Sequence, residues 1–269
     1  ILKSTDGGTS WAGQISGLMY DELNSVSFAD NNTGWTVGTN GKILKTNDGG
    51  ANWISQSSGT TITFLGVYSV DVNTVWAVGI AGVILKTTDG GTTWISQTSG
   101  VTANLNGVCF TDVYTGWAIG TGGTIIKTID GGTTWISQPS IVTTDLTKVH
   151  FVDANNGWAV GGIPSIILKT TDGGASWSNQ SYTDTPVLYG LCFADANNGW
   201  AVGWQGKIAY TTDGGATWNN QASGTSVALY GIYFIDANNG WAVGNNGTIL
   251  RYTLNPITLA PVLSSPTNN

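Results

Sequence analysis

Sixteen carboxylates, one histidine, two cysteines and thirteen tryptophans are the groups through which this 269-residue chain could do chemistry. Two carboxylates facing each other across a glycosidic bond would make a hydrolase. Cys109, His150 and Cys192 are soft donors of the kind that suit zinc or copper. Tryptophan and tyrosine outside a core would offer flat platforms for sugar rings or peptide side chains. Which of these chemistries is open depends on the elements that position the residues, and the spacing of the residues identifies those elements.

Asp6, Asp48, Asp89, Asp130, Asp172 and Asp213 recur at intervals of 42, 41, 41, 42 and 41 residues. Each is followed by a tryptophan: Trp11, Trp53, Trp94, Trp135, Trp177 and Trp218. A second series, Trp35, Trp76, Trp117, Trp158, Trp200 and Trp241, lies between them in Gly-Trp-Ala-Val-Gly or a close variant. The stretch Ile84-Leu-Lys-Thr-Thr-Asp-Gly-Gly-Thr-Thr-Trp94 shows how one unit works. Ile84 and Leu85 belong to a buried strand, and Lys86 can keep its head in water. Thr87 and Asp89 can hydrogen-bond backbone groups of a tight turn. Gly90 and Gly91 allow positive φ, and Trp94 opens the returning strand. The six repeated aspartates are therefore turn-lockers.

Six further acids, Asp30, Asp71, Asp112, Asp153, Asp195 and Asp236, end the first strand of each unit. Their loops, such as Asp153-Ala-Asn-Asn-Gly157, hint at calcium-loop spacing but lack the remaining ligands and the distal glutamate. Only Asp21, Glu22, Asp145 and Asp184 are left over. Asp145 and Asp184 alone lie in adjacent loops, and both sit among Thr and Ser, so no catalytic residue is assigned and the chain is expected not to be an enzyme.

A near-identical period of 41–42 residues with four short strands is the signature of an all-β propeller of four-stranded blades. The strands number six first, six second, seven third and six fourth. Six blades is the favoured count, with the N-terminal hairpin, residues 1 to about 14, closing the last blade. The alternative is a seven-bladed parent with two strands missing upstream of Ile1. The propeller is expected over 1–253. Residues 254–269 are proline-spaced and read as an extended linker leading to a further domain.

Thr-x-Asp-Gly-Gly-x-x-Trp resembles the Asp-box of bacterial neuraminidase repeats. Joined to Gly-Trp-Ala-Val-Gly-x-x-Gly-x-Ile-Leu-Lys, it is most similar to the propellers of the photosystem II stability and assembly factor family, which also occur in secreted proteins of non-photosynthetic bacteria. The resemblance covers residues 1 to about 253 and implies the scaffold. Asp-box sialidases clamp their substrate with three arginines, and this chain has only Arg251. The assembly factors carry an arginine patch for their partner, which this chain lacks, so the family's specific partner does not carry over.

Composition excludes other classes. Lys and Arg number 9 against 16 acids, a net charge of −7, which opposes binding to nucleic acid or to anionic membranes. No apolar run is long enough to span a bilayer. Two cysteines are too few for a disulfide-built fold, and two free thiols are expected. The chain opens within a strand without an initiator Met and is read as part of a larger, multidomain, extracellular or cell-surface protein. Ala-Pro-Val-Leu-Ser-Ser-Pro in the tail also resembles the opening of a fibronectin type III-like domain.

Two sets of residues depart from the template. In the first strands, Val26, Val67, Val108, Val149, Leu191 and Ile232 repeat an apolar position, whereas Ser27, Tyr68, Cys109, His150, Cys192 and Tyr233 vary. Alternation puts the variable row, with Lys148 two residues earlier, on the opposite face, expected to line a central channel. No ligand pair of known spacing exists there, so no metal and no cofactor is assigned. The second set is Trp204, the one tryptophan outside both series. It tips a turn beside Gln205, with Tyr182 and Asp184 in the entering loop and Tyr189 and Tyr230 near the starts of two first strands. These six are the expected ligand site. The expected function is non-catalytic recognition of protein or carbohydrate, with a purely structural assembly module and a glycan hydrolase as the alternatives.

Overall fold

The structure is a computed structural model describing residues 1–18, 21–180, 182, 187–253 and 262–264. It is an all-β propeller of six blades, each a four-stranded antiparallel sheet in which sequential strands are neighbours. Blade 3 is representative. Its strands are Leu105–Phe110, Gly116–Gly120, Ile125–Thr128 and Ile136–Ser137, with Val108 opposite Ala118 and Ala118 opposite Ile126. Blades 1 to 6 cover 23–56, 64–97, 105–137, 146–179, 188–221 and 229–253 with 262–264. Residues 1–3 and 12–143 form one unit, with blades 1 to 3, and residues 4–11 and 144–269 a second, with blades 4 to 6.

The sixth blade corrects one expectation. Its fourth strand is Val262–Ser264, paired with Ile249–Thr253 through Arg251 opposite Ser264. The N-terminal hairpin does not take that place. It is a separate two-stranded sheet, Leu2–Lys3 with Ala12–Gly13.

Each Asp-box turn is locked as its residue types require. Thr87 Oγ1 donates to Asp89 Oδ1 at 2.8 Å and accepts from Gly91 N at 2.8 Å. Asp89 also accepts from Thr93 N at 2.9 Å and from Thr93 Oγ1 at 2.6 Å. Gly90 and Gly91 take φ of 68° and 88°, a region where a Cβ is strained. The Gly90 N–H donates to the Asn73 carbonyl in the turn between first and second strands, so these two turns share one end of the blade. At the other end, the turn between second and third strands bonds the segment entering the first strand, as Trp204 N does to Val187 O at 2.9 Å.

Blades stack by a repeated aromatic contact. Phe110 of blade 3 lies flat on Trp76 of blade 2, with centroids 3.7 Å apart and planes 15° apart. Phe193 does the same on Trp158 at 3.7 Å, and Phe234 on Trp200 at 3.6 Å. Such pairs contribute about 0.5–1.5 kcal/mol beyond the area they bury. Lysines add a second contact: Lys45 Nζ donates to Gly90 O at 2.9 Å and Lys86 Nζ to Gly131 O at 2.8 Å, each in the following blade. Lys86 also lies over the Trp76 ring, at 4.9 Å. Its burial lowers its pKa, partly countered by Asp130.

Candidate functional site

Two positions in the repeat were singled out by their variability, and the structure gives them different roles. The row Ser27, Tyr68, Cys109, His150, Cys192 and Tyr233 was expected to line a channel. Where the following blade lies in the same unit, these side chains meet that blade instead. Ser27 Oγ accepts from Ser69 N at 3.0 Å. The Tyr68 ring lies 6.3 Å from that of Phe110, and the His150 ring 6.3 Å from that of Phe193. Cys192 Sγ accepts from Phe234 N at 3.3 Å. The reason is geometric: a blade with a neighbour on each side is packed on both faces, so alternation along its first strand separates the two neighbouring blades.

The electrostatics of the row follow from this packing. Burial, with help from the Lys148 charge, brings His150 down to about 4, so its imidazole is neutral at physiological pH. Burial raises the Cys192 thiol, against the opposing pull of Phe234 N–H and Lys148. Cys109 and Cys192 are both buried thiols outside any disulfide. Among the described residues no three His, Cys, Asp or Glu side chains gather into a metal site.

The aromatic set lies in the second unit, at the end of blades 5 and 6 where second strands turn into third strands. Trp204 opens the turn Trp204–Gly206 and is 48% exposed. Gln205 holds φ of 55°, the left-handed conformation this turn requires at its middle position, where blade 3 has Gly122. The turn sits close to the first strand of blade 6, Leu229–Asp236. Near the start of that strand Tyr230 is exposed and stands beside Tyr189 of blade 5, ring centroids 5.1 Å apart and planes 41° apart. Asn245, in the next turn, donates from Nδ2 to Tyr230 Oη at 3.3 Å. Desolvation, then the neighbouring Tyr230, raises the Tyr189 hydroxyl.

The tyrosine pair replaces a hydrogen bond used elsewhere. At the equivalent position Asn24 Nδ2 donates to Phe64 O at 2.8 Å and Thr147 Oγ1 to Leu188 O at 2.8 Å, each across to the following blade. In blade 5 a ring contact does this work and leaves two phenols at the surface. Asn245 was not among the expected site residues. Its only sequence signal is its place in the turn equivalent to that of Trp204.

A model of the family described as photosynthesis system II assembly factor YCF48 matches residues 8–99, 96–186 and 181–253. The chain belongs to that family. Among curated proteins nothing matches it. Solved structures with the same fold include YCF48 bound to D1 peptide, at 21% identity and TM-score 0.59, covering 87% of this chain and 94% of that one. YCF48 from Cyanidioschyzon merolae has 19% identity and TM-score 0.61, covering 87% and 95%. A GH74 enzyme from Niastella koreensis has 17% identity and TM-score 0.71, covering 90% of this chain but 46% of the enzyme.

Against this YCF48-type scaffold the remaining expected residues can be placed. Tyr182 packs against the core around Trp158, Leu188 and Phe193, and its hydroxyl donates to Asn220 Oδ1 at 2.9 Å. Lys207 Nζ lies over its ring at 5.9 Å. Tyr182 is thus committed to the body of blade 5, which leaves the Tyr189–Tyr230 pair with Asn245, and the turn of Trp204 and Gln205 close to the Tyr230 strand, as the candidate surface residues. Asp184 lies outside the described residues. The Asp145 carbonyl accepts from Gly162 N at 2.8 Å, which fixes the backbone of the turn that follows.

The Asp-box aspartates are spent on their turns. Asp89 is brought down to about 2, chiefly by the Thr93 hydroxyl, then by Thr93 N–H and the Thr87 hydroxyl. Asp6, Asp48, Asp130, Asp172 and Asp213 are also at about 2, each through hydrogen bonds within its own turn. Carboxylates held ionised in this way are poor proton donors near neutrality.

Proposed function

We propose that the protein is a non-catalytic, protein-binding assembly module, and that it contacts its partner through Trp204, Tyr189 and Tyr230. The observation that carries this reading is the exposed aromatic group itself. Exposed aromatics with adjacent amide groups suit the apolar-and-polar surface of a peptide. Family membership supports a role in assembly, and the relative solved with a bound D1 peptide supports a polypeptide ligand. The commitment of the repeated acids to turns argues against glycoside hydrolysis, which needs one carboxyl free to give up a proton.

We place the protein outside the cell or on its surface. The scarcity of charge, with 9% charged residues, and the abundance of Asn, Thr and Ser support this placement. The experiment is a display selection of random peptides on the immobilised protein, with a glycan array in parallel. Peptides whose binding falls about tenfold or more on Trp204→Ala or Tyr230→Ala, a loss of about 1.4 kcal/mol, would support the reading. Glycans bound with the same dependence would shift the ligand class to carbohydrate. Selected peptides indifferent to both substitutions would refute the site.

A further inference from the structure

At one end of a blade the turn between first and second strands is bonded to the Asp-box turn, and each turn shows one residue to solvent there. In blade 2 the bond runs from Gly90 N to Asn73 O, and the two exposed residues are Asn73 and Thr88. Blade 1 has Asn32 and Asn47, with Gly49 N donating to Asn32 O. Blade 4 has Asn155 and Thr171, with Gly173 N donating to Asn155 O, and blade 5 has Asn197 and Thr212, with Gly214 N donating to Asn197 O. Both positions are small and polar in all of these.

Blade 3 departs at both positions together. Its Gly131 N donates to Tyr114 O at 2.8 Å, and the two residues are Tyr114, 64% exposed, and Ile129, 67% exposed. The turns do not require them. Tyr114 N donates to Asp112 Oδ1 at 2.7 Å as Asn73 N does to Asp71 Oδ1 at 2.7 Å, so the backbone is fixed in the same way with either side chain. A single exposed apolar residue is ordinary. Two large ones on a bonded pair of turns, where the other blades put amides and hydroxyls, make a local apolar surface.

The surroundings of that surface are acidic. Asp112 and Asp130 belong to the same two turns, and Asp71 and Asp89 to the matching turns of blade 2. The lysines at this end of the blades, Lys45 and Lys86, are drawn inward to the carbonyls of Gly90 and Gly131 and lie over the Trp35 and Trp76 rings.

We propose that this end of blade 3 docks a polypeptide segment that carries a branched aliphatic residue beside arginine or lysine. The aliphatic side chain covers Ile129 and the Tyr114 ring. The cation meets the carboxylates of Asp112 and Asp130, and the face of a tyrosine ring attracts it further. Such a rim of like charge repels polyanions, and it gives the complex specificity and speed of association more than raw affinity. The surface belongs to blade 3, whereas the Trp204 group belongs to blades 5 and 6, and it does not depend on that group's role.

The probe is the synthetic peptide acetyl-Arg-Leu-Leu-Arg-amide, titrated at low ionic strength into the isotope-labelled 269-residue protein and followed by amide chemical shifts. Saturable shifts centred on residues 112–116 and 128–132 are expected, and added salt is expected to weaken them. Tyr114→Asn with Ile129→Thr installs the residues that blade 2 already accommodates at Asn73 and Thr88, so the fold is kept. This double variant is expected to bind at least about tenfold more weakly, as loss of an apolar anchor does at other interfaces. The peptide acetyl-Glu-Leu-Leu-Glu-amide is expected to bind at least about tenfold more weakly than the arginine peptide. Trp204→Ala leaves binding unchanged. Absence of saturable shifts, indifference to the double variant, or equal binding by the glutamate peptide would each overturn the proposal. So would a concentration-dependent dimer that the double variant abolishes, which would make a second copy the occupant.

Discussion

Phenylalanine occupies one register position in five of the six first strands, and its surroundings differ between blades. That difference permits a controlled perturbation. Phe193 is 4% exposed, stacks on Trp158 at 3.7 Å and meets Trp218 edge-on at 6.0 Å. Phe28 is 44% exposed and meets Trp53 edge-on at 6.0 Å. Truncating a fully buried phenylalanine costs about 3–5 kcal/mol through lost burial and the cavity left behind. At Phe28 nearly half of the burial is absent and the site is open to water, so little cavity forms and a loss of about 1–2 kcal/mol is expected. Phe193→Ala should therefore destabilise at least twice as much as Phe28→Ala, although both are the same substitution at equivalent positions. Repeat proteins can lose cooperativity, which makes a single melting temperature an incomplete measure. Urea titration followed by tryptophan emission should accordingly be paired with hydrogen exchange resolved by blade. Equal losses for the two variants would refute the view that stacking on the preceding tryptophan, rather than the hairpin's own packing, stabilises each first strand.

Other consequences can be measured directly. The Asp-box carboxylates have folded pKa values of about 2, below the ordinary 3.8, so the stability they confer is fully present above about pH 4 and is lost as pH falls toward 2. Thermal melts across pH 2–5 should show that loss, and Asp89→Asn should flatten its share; an unchanged slope would contradict the assignment. Lys86→Met should cost about 1–3 kcal/mol by removing a charged donor from Gly131 O, with Lys86→Arg recovering part of the loss in denaturant titrations. Native protein should react slowly with a thiol reagent and yield two thiols once unfolded without reductant, because Cys109 and Cys192 are buried and outside any disulfide. Trp204→Ala should cost about 1–2 kcal/mol by calorimetry, less than truncation of a buried tryptophan, since about half of the side chain is exposed.

The parts of this molecule that could be read from its sequence are those whose chemistry is local. Thr87, Asp89, Gly90 and Thr93 make a complete turn within seven residues, so their order alone announces it. The positions of Trp76 and Trp117 in the core followed from the same period. Facing was harder to read. Alternation along Leu188–Phe193 shows that Leu191 and Cys192 point opposite ways, but not that both are buried, as they are where a blade has a neighbour on each side. The strand Val262–Ser264 was hidden by its brevity and by the prolines beside it. At the surface site, Trp204 and Tyr230 stood out as departures from a strict template, whereas Asn245 did not, since asparagine is ordinary in that turn. Tyr182 looked like a surface aromatic because its partner, Asn220, lies 38 residues further along.

The lysine that reaches forward from one blade into the next turn gives the first two blades a plug and the turns of the second and third blades a socket. Lys45 and Lys86 are plugs, and the carbonyls of Gly90 and Gly131 are the sockets that receive them. A genetic duplication of one whole 41-residue period that carries such a lysine would bring both halves of the connector with it. Each junction would then be made between parts that already fit, with no compensating change required. A duplication of half a period would instead leave a plug without a socket. The number of blades is therefore free to drift by whole modules over evolutionary time while the seams between them stay the same.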